Sequence, residues 1–236
     1  TLFPYTTLFR SMSEEQAALI LSFPQFITSI EATLETVESF HVGVTTSDDY
    51  FYNIAGCQQI GGLVVQTGGF DSSMMACGPY EEGNFMSEMD DLETTFSCAA
   101  QVGTEGSATE RPILAMLNAV TGVYGGNGMC NEGFIREDAL LVLVIITDET
   151  DQSPGLPMDW YDQVVAAKAG IPENIVVLSL INVPGSPCNP FDPATSIADF
   201  TTLFGVNGFM AEICLPDYGP VFQQAVDTRG SHSPCT

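Results

Sequence analysis

The run ALLVLVIITDE at residues 139–149 constrains this chain more than any other stretch. It is apolar without a break through Ile146 and then ends in acid. A strand that is apolar on both sides of its pleat must be covered on both faces, as a central strand of a parallel sheet is. Parallel neighbours need long crossover connections, so helices should alternate with strands along the chain. NIVVLSLIN (174–182) is a second strand of the same kind. MDWYDQVVAAKAG (158–170) reads as a helix ended by Gly170. SIADFTTLFG (196–205) reads as another helix, FMAEIC (209–214) as a short edge strand and GPVFQQAVDT (219–228) as a last helix. The expected fold class is α/β, with a doubly wound, mostly parallel sheet.

Upstream, residues 13–38 carry apolar side chains at helical spacing, from Leu19 and Ile20 to Leu34 and Val37, with Glu14 and Glu15 in the favourable first turn. Pro24 should kink or split this helix. FHVGVTT (40–46) alternates like a strand. Residues 48–97 are rich in glycine and acid and read as an insertion, with short strands around 61–67 and 94–98. GSATERPILAMLNAV (106–120) is a loop feeding a helix, with Pro112 in its first turn.

The chain has 30 acidic and 5 basic residues, a formal charge of −25. Such a surface repels phosphate backbones, which excludes nucleic acid as a partner and suits divalent cations. Seven widely spaced cysteines, without a CxxC, read as disulfides in an oxidising compartment. Cys57 and Cys77 would staple the insertion. Cys188 and Cys214 follow neighbouring strands and should pair at the same end of the sheet. Cys98 is assigned to Cys130, which leaves Cys235 over.

Ligands of an open parallel sheet bind beyond the carboxyl ends of its strands. The run at 139–149 delivers Thr147, Asp148, Glu149 and Asp151 to that edge, and the loop 103–110 delivers Thr104, Ser107 and Thr109. Hydroxyls and carboxylates together suit a hard cation such as Mg²⁺ or Ca²⁺. A hydrolase would need a base beside its nucleophile. His41 begins a strand, His232 lies near the C-terminal end, and no G-x-S-x-G elbow is present, so the chain reads as non-enzymatic.

SMSEEQ opening an amphipathic helix, then FHVGVTTSD, VGTEGSATE, GFIREDALLVLVIITDETD and EICLPDYGPVF together resemble a von Willebrand factor type A-like (vWA) domain. The likeness spans about residues 11–228 and is nearest to secreted or surface bacterial members, many of them lipoproteins. It implies a six-stranded, Rossmann-like sheet with one antiparallel edge strand and a metal-ion-dependent adhesion site (MIDAS). That site takes D-x-S-x-S after the first strand, a threonine from a second loop and an aspartate after the fourth strand. The resemblance assigns these to Ser11, to Thr109 with Ser107 as the alternative, and to Asp148, with Glu149 and Asp151 as acids on the rim. Thr7 and Phe9 stand where the motif has Asp and Ser.

Residues 1–11, TLFPYTTLFRS, resemble the in-frame translation of a widely used short-read sequencing adaptor. The first strand and its metal motif are therefore expected to be missing or replaced, with a vWA-like domain over 12–228 and a tail over 229–236. Pro4 in a central strand should make the chain fold poorly. The implied function is metal-dependent adhesion, with Mg²⁺, Mn²⁺ or Ca²⁺ offered to an acidic group of a protein partner, outside the cell, on its surface or in the periplasm. A metal-independent interaction scaffold is the alternative.

Overall fold

The structure, a computed structural model, describes residues 2–6, 12–33, 39–185, 188 and 193–230. Its strands are β1 (Leu2–Thr6), β2 (His41–Thr45), β3 (Met86–Ser87), β4 (Leu141–Thr147), β5 (Ile175–Ile181) and β6 (Gly208–Glu212). Its α-helices are α1 (Ser13–Thr33), α2 (Leu92–Ala100), α3 (Pro112–Val120), α4 (Pro157–Ala167), α5 (Thr195–Thr202) and α6 (Gly219–Gly230). The strands form one six-stranded sheet in the order β3-β2-β1-β4-β5-β6. All pairings are parallel except that of β2 with β3.

From β1 the chain moves one way to β2, and from β4 it moves the other way to β5. Right-handed crossovers then place the connecting helices on opposite faces. The packing agrees: α1 touches α2 and α6, whereas α4 touches α3 and α5. Every residue of β4 and β5 is buried, as their largely apolar sequences require, and the one polar residue inside β5, Ser179, meets the Thr201 hydroxyl at 2.7 Å. Each fully buried Val, Leu or Ile contributes about 1.5–3 kcal/mol. On one face Phe23 of α1 stacks on Phe96 of α2 with ring centres 3.5 Å apart, and Phe26 meets Phe222 of α6 at 4.5 Å. On the other, Trp160 lies edge-on to Phe200, and its indole N–H donates to the Pro154 carbonyl at 2.8 Å.

The first-strand slot, expected to be missing or replaced, is filled by Leu2–Thr6. Its register with β2 is continuous from Leu2–His41 to Thr6–Thr45. Against β4 the partners are Leu2–Leu141, Tyr5–Val144 and Thr6–Ile145, with a gap at Phe3 and Pro4. Proline has no N–H to give to a ladder.

Several local expectations change. Pro24 neither ends nor splits α1, which runs unbroken to Thr33; residues 34–38 lie outside the described residues. The stretch 94–98 is helical, not a strand. Its apolar residues Leu92, Phe96, Ala99 and Ala100 share one helical face, and the Asp91 carboxylate accepts the Thr94 N–H as N-cap. Residues 61–67 form no strand either. Val64 donates to the Val44 carbonyl at 2.8 Å, and Gln66 forms a lone bridge with Ala76. This segment presses onto β2 at Gly43. A Cβ there would lie 2.7 Å from Leu63 Cδ2 and 2.8 Å from Phe134 Cζ, so the position has no room for a side chain.

The disulfides correct two of the expected pairings. Cys57 bonds to Cys130 and Cys77 to Cys98, instead of Cys57 to Cys77 and Cys98 to Cys130. The reason is packing across the insertion. Asn131 accepts the Leu63 N–H and donates to the Gly61 carbonyl, which sets the 57–63 loop beside Cys130. The Ser73 hydroxyl, donating to the Cys98 carbonyl, holds the other turn of the insertion to α2. Cys188 bonds to Cys214. Cys235 lies outside the described residues.

Two basic residues are used internally. Lys168, fully buried, donates through Nζ to the Arg136 and Glu137 carbonyls at 2.5 and 2.7 Å. His41 sits at the amino end of β2, away from the carboxyl edge, with Nδ1 2.8 Å from the Phe134 carbonyl and Nε2 3.8 Å from Glu82. Burial lowers its pKa, helped by the Arg136 charge and opposed by the Phe134 carbonyl and Glu82. The unfolded chain therefore takes up this proton first, and the stability tied to neutral His41 is lost as pH falls below about 6.5. His41→Gln should lose less stability than the parent between about pH 7.5 and 5.5. Equal losses in chemical denaturation would show that His41 is not the group responsible.

Candidate functional site

The strand order reverses between β1 and β4, and the loops leaving the carboxyl ends of β2 and β4 meet beside that switch point. The loop 107–111 joins them just before α3. The three segments are laced by backbone bonds. Arg111 N–H donates to the Ser47 carbonyl at 3.1 Å, and Gln152 N–H donates to the Glu110 carbonyl at 2.6 Å. Ser107 N–H donates to the Asp48 carboxylate, and Asn182 Nδ2 donates to the Asp148 carbonyl.

This lacing gathers acid. Among the described residues, ten buried side-chain oxygen and nitrogen atoms lack a hydrogen-bond partner. Seven of them are oxygens of Glu15, Thr45, Ser47, Asp48, Glu110 and Asp148, all near the carboxyl edge. Glu110 is the extreme case: it is 0% exposed, and neither carboxylate oxygen has a donor. Burial, then the charges of Glu149 and Asp148, a hydrogen bond shared with the Glu149 side chain and the charge of Asp48, push its pKa up to about 10. Glu15, in the first turn of α1, is raised by burial and by Asp148 and Glu14, against the pull of its own backbone N–H. Asp48 is raised by burial and by Asp49, against the Ser107 N–H and Arg111. An unpaired buried carboxylate costs several kcal/mol, and here such carboxylates stand together.

The residues singled out in the sequence fall into separate groups. Asp148 is part of the gathering. Ser11 lies outside the described residues, as do Thr7 and Phe9. Thr109 points away: it is exposed, and its N–H donates to the Ser107 hydroxyl at 3.0 Å. Ser107 is also exposed, and it serves Asp48 through its backbone. The inward place in this loop belongs to Glu110. Thr104 is buried elsewhere, its N–H bonded to the Phe70 carbonyl of the insertion. Glu149 acts on Glu110.

Asp151 is not a rim acid. It is 9% exposed, and its carboxylate accepts the Ile113 N–H at 3.3 Å and the Ser153 hydroxyl at 2.7 Å. The Ser153 hydroxyl in turn accepts the Leu114 N–H at 2.8 Å. Arg111, at the N-cap position of α3, supplies no side-chain cap, and Pro112 has no N–H to satisfy. The loop after β4 therefore caps a helix from another part of the chain.

Sequence reasoning passed over Glu110, Asp48, Ser47 and Glu15 as site residues. The available signal was an acid immediately before a proline-led helix, and an acid after a strand, with few bases in the chain to pair them. Among the described residues no group of three or more His, Cys, Asp or Glu side chains could hold a metal ion. What the site offers is a set of buried carboxylate and hydroxyl oxygens without a hydrogen-bond partner.

No family model matches the chain, and no curated protein matches its sequence significantly. Among solved structures it is similar to proximal thread matrix protein 1 from the mussel byssus, at 10% identity and a TM-score of 0.50. The match covers 97% of this chain and 47% of that one. A second crystal form of the same protein aligns with a TM-score of 0.49 over 98% and 48% of the two chains, again at 10% identity. The chain thus spans about half the length of these proteins, and the likeness is one of fold. No helix among the described residues is long and apolar enough to cross a membrane. The three disulfides belong to an oxidising, extracytoplasmic setting.

Proposed function

We propose that this chain is a vWA-like, non-catalytic binding module of an extracellular or surface protein, whose protein contacts depend on a divalent cation at the carboxyl edge of the sheet. One observation carries the reading: among the described residues, seven of the eight buried side-chain oxygens without a hydrogen-bond partner lie near the switch point of the strand order. A bound cation would satisfy them. Asp148 and Glu110 would hold it, with Asp48 and the hydroxyls of Thr45 and Ser47 around them. A six-stranded sheet with one antiparallel edge strand is also what the vWA resemblance implies.

The test is thermal melting of chelator-treated protein titrated with Mg²⁺, Mn²⁺ and Ca²⁺. A ligand that binds only the folded state raises the melting point, by about 2.7 kcal/mol of stability at a hundredfold excess over Kd. At least one ion should do so, and Asp148→Ala should remove the response. If no ion shifts the melt, the metal-independent scaffold replaces this reading. That rival draws on the outward turn of Thr109 and on the lack of a ready-made ligand group.

A further inference from the structure

We propose that the grooves between α1, α2 and the insertion form a second binding surface, which takes a cationic amphipathic segment of a partner protein with its apolar side down. None of the residues assigned above to the cation lines these grooves, so the inference stands apart from that reading.

Two grooves adjoin there. One, of about 490 Å³, is lined by Ile20 and Leu21 of α1 and by Asp71 and Gln101. The other, of about 400 Å³, is lined by Met75, by Glu93 and again by Gln101. The apolar groups on their walls are open to solvent: Leu21 is 80% exposed and Met75 57%. Phe70 and Met74, which flank the lining residues Asp71 and Ser73 along the chain, are 68% and 70% exposed.

The turn that carries them is firmly held. Asp71 and Met74 have φ of 61° and 56°, a left-handed conformation that strains an ordinary side chain. Ser73 N–H donates to the Gln101 carbonyl at 2.9 Å, and Gln101 Nε2 donates to the Asp71 carbonyl at 3.1 Å. The Cys77–Cys98 bond closes the segment onto α2. Apolar side chains on a strained, cross-linked turn make a preorganised contact surface, and methionine adapts to the shape of what it meets.

Charge identifies the occupant. Asp71 and Glu93 line the grooves, and none of the chain's five basic residues does. An anionic membrane, or a second copy of this chain at a charge of −25, would be repelled. A helix with an apolar face edged by lysine or arginine matches both the apolar walls and the acids.

The experiment uses the whole chain in chelator and, as probe, a labelled peptide of about 18 residues with leucine on one helical face and lysine on the other. It should bind at least about tenfold more tightly than a scrambled peptide of the same composition. Leu21→Gln, and Asp71→Asn with Glu93→Gln, should each weaken that binding by about threefold or more. Asp162→Asn with Glu173→Gln removes as much charge from exposed positions in and after α4 and should leave binding unchanged. Met74→Gly relieves the left-handed strain, so it should melt no lower than the parent and still lose affinity. If the scrambled peptide binds as well, if the groove variants bind like the parent, or if the α4 variant weakens binding as much, overall charge is the cause and the inference is overturned. Sedimentation showing a dimer that Leu21→Gln abolishes would make a second copy the occupant and overturn it too. The cation reading has its own melting test and stands or falls separately.

Discussion

Removing the Cys57–Cys130 bond by a double serine substitution should lower folding stability by about 4 kcal/mol. The bond closes a sequence separation of 73 residues, whereas Cys77–Cys98 closes one of 21. Loop-closure entropy grows with the logarithm of loop length, so the shorter bridge should be worth about 1 kcal/mol less. Local packing points the same way. Cys57 and Cys130 are both buried, and around them Asn131 and Asn84 tie the insertion to the loop before β4. Cutting this bond releases the insertion from the sheet it covers at Gly43. Denaturant midpoints of the two double variants, under oxidising conditions, give the comparison. A larger loss from the Cys77–Cys98 pair would mean that its anchorage to α2 matters more than the long loop.

Asp151→Ala should cost about 2–3 kcal/mol. The carboxylate accepts the Ile113 N–H and orients Ser153, which accepts the Leu114 N–H. Truncation leaves buried donors of α3 without acceptors and removes a favourable negative charge from a helix start. Ser153→Ala should cost about 1 kcal/mol, and the double variant should fall short of the sum because both residues serve one cap. Glu110 precedes this cap and donates nothing to it, so loosening α3 should also weaken any ion bound at Glu110. Chemical denaturation reads the first effect, and calcium titration of the same variants reads the second. An Asp151→Ala protein as stable as the parent would show that water can replace the carboxylate there.

The parts of this fold that were legible are those where one physical requirement dominates. β4 and β5 announce themselves because a strand buried on both faces has few polar positions to dilute the signal. Asp148 follows directly, as the first acid past the end of such a strand. α2 was misread because Thr94, Thr95 and Phe96 favour strands by local propensity; tertiary burial of Phe96 against Phe23 and the Asp91 cap outweigh it. The cysteine pairs inside the insertion depended on which loops lie side by side, and spacing along the chain carries no such information. Glu110 was hidden for another reason. An acid at the start of a helix usually signals a favourable dipole contact, and only the lacing of three loops shows that this one is turned inward without a donor.

The strand β1 has a consequence for assembly. It lies in the middle of the sheet and is bonded to β2 on one side and β4 on the other. A chain lacking residues 2–6 would have a slot with two raw edges facing each other, shaped to receive one extended segment of about the same length. Such a slot can be filled in trans. A short peptide, or the corresponding segment of another molecule, would complete the sheet as a donated strand. The position of β1 therefore divides the protein naturally into a receptor and a complementing fragment.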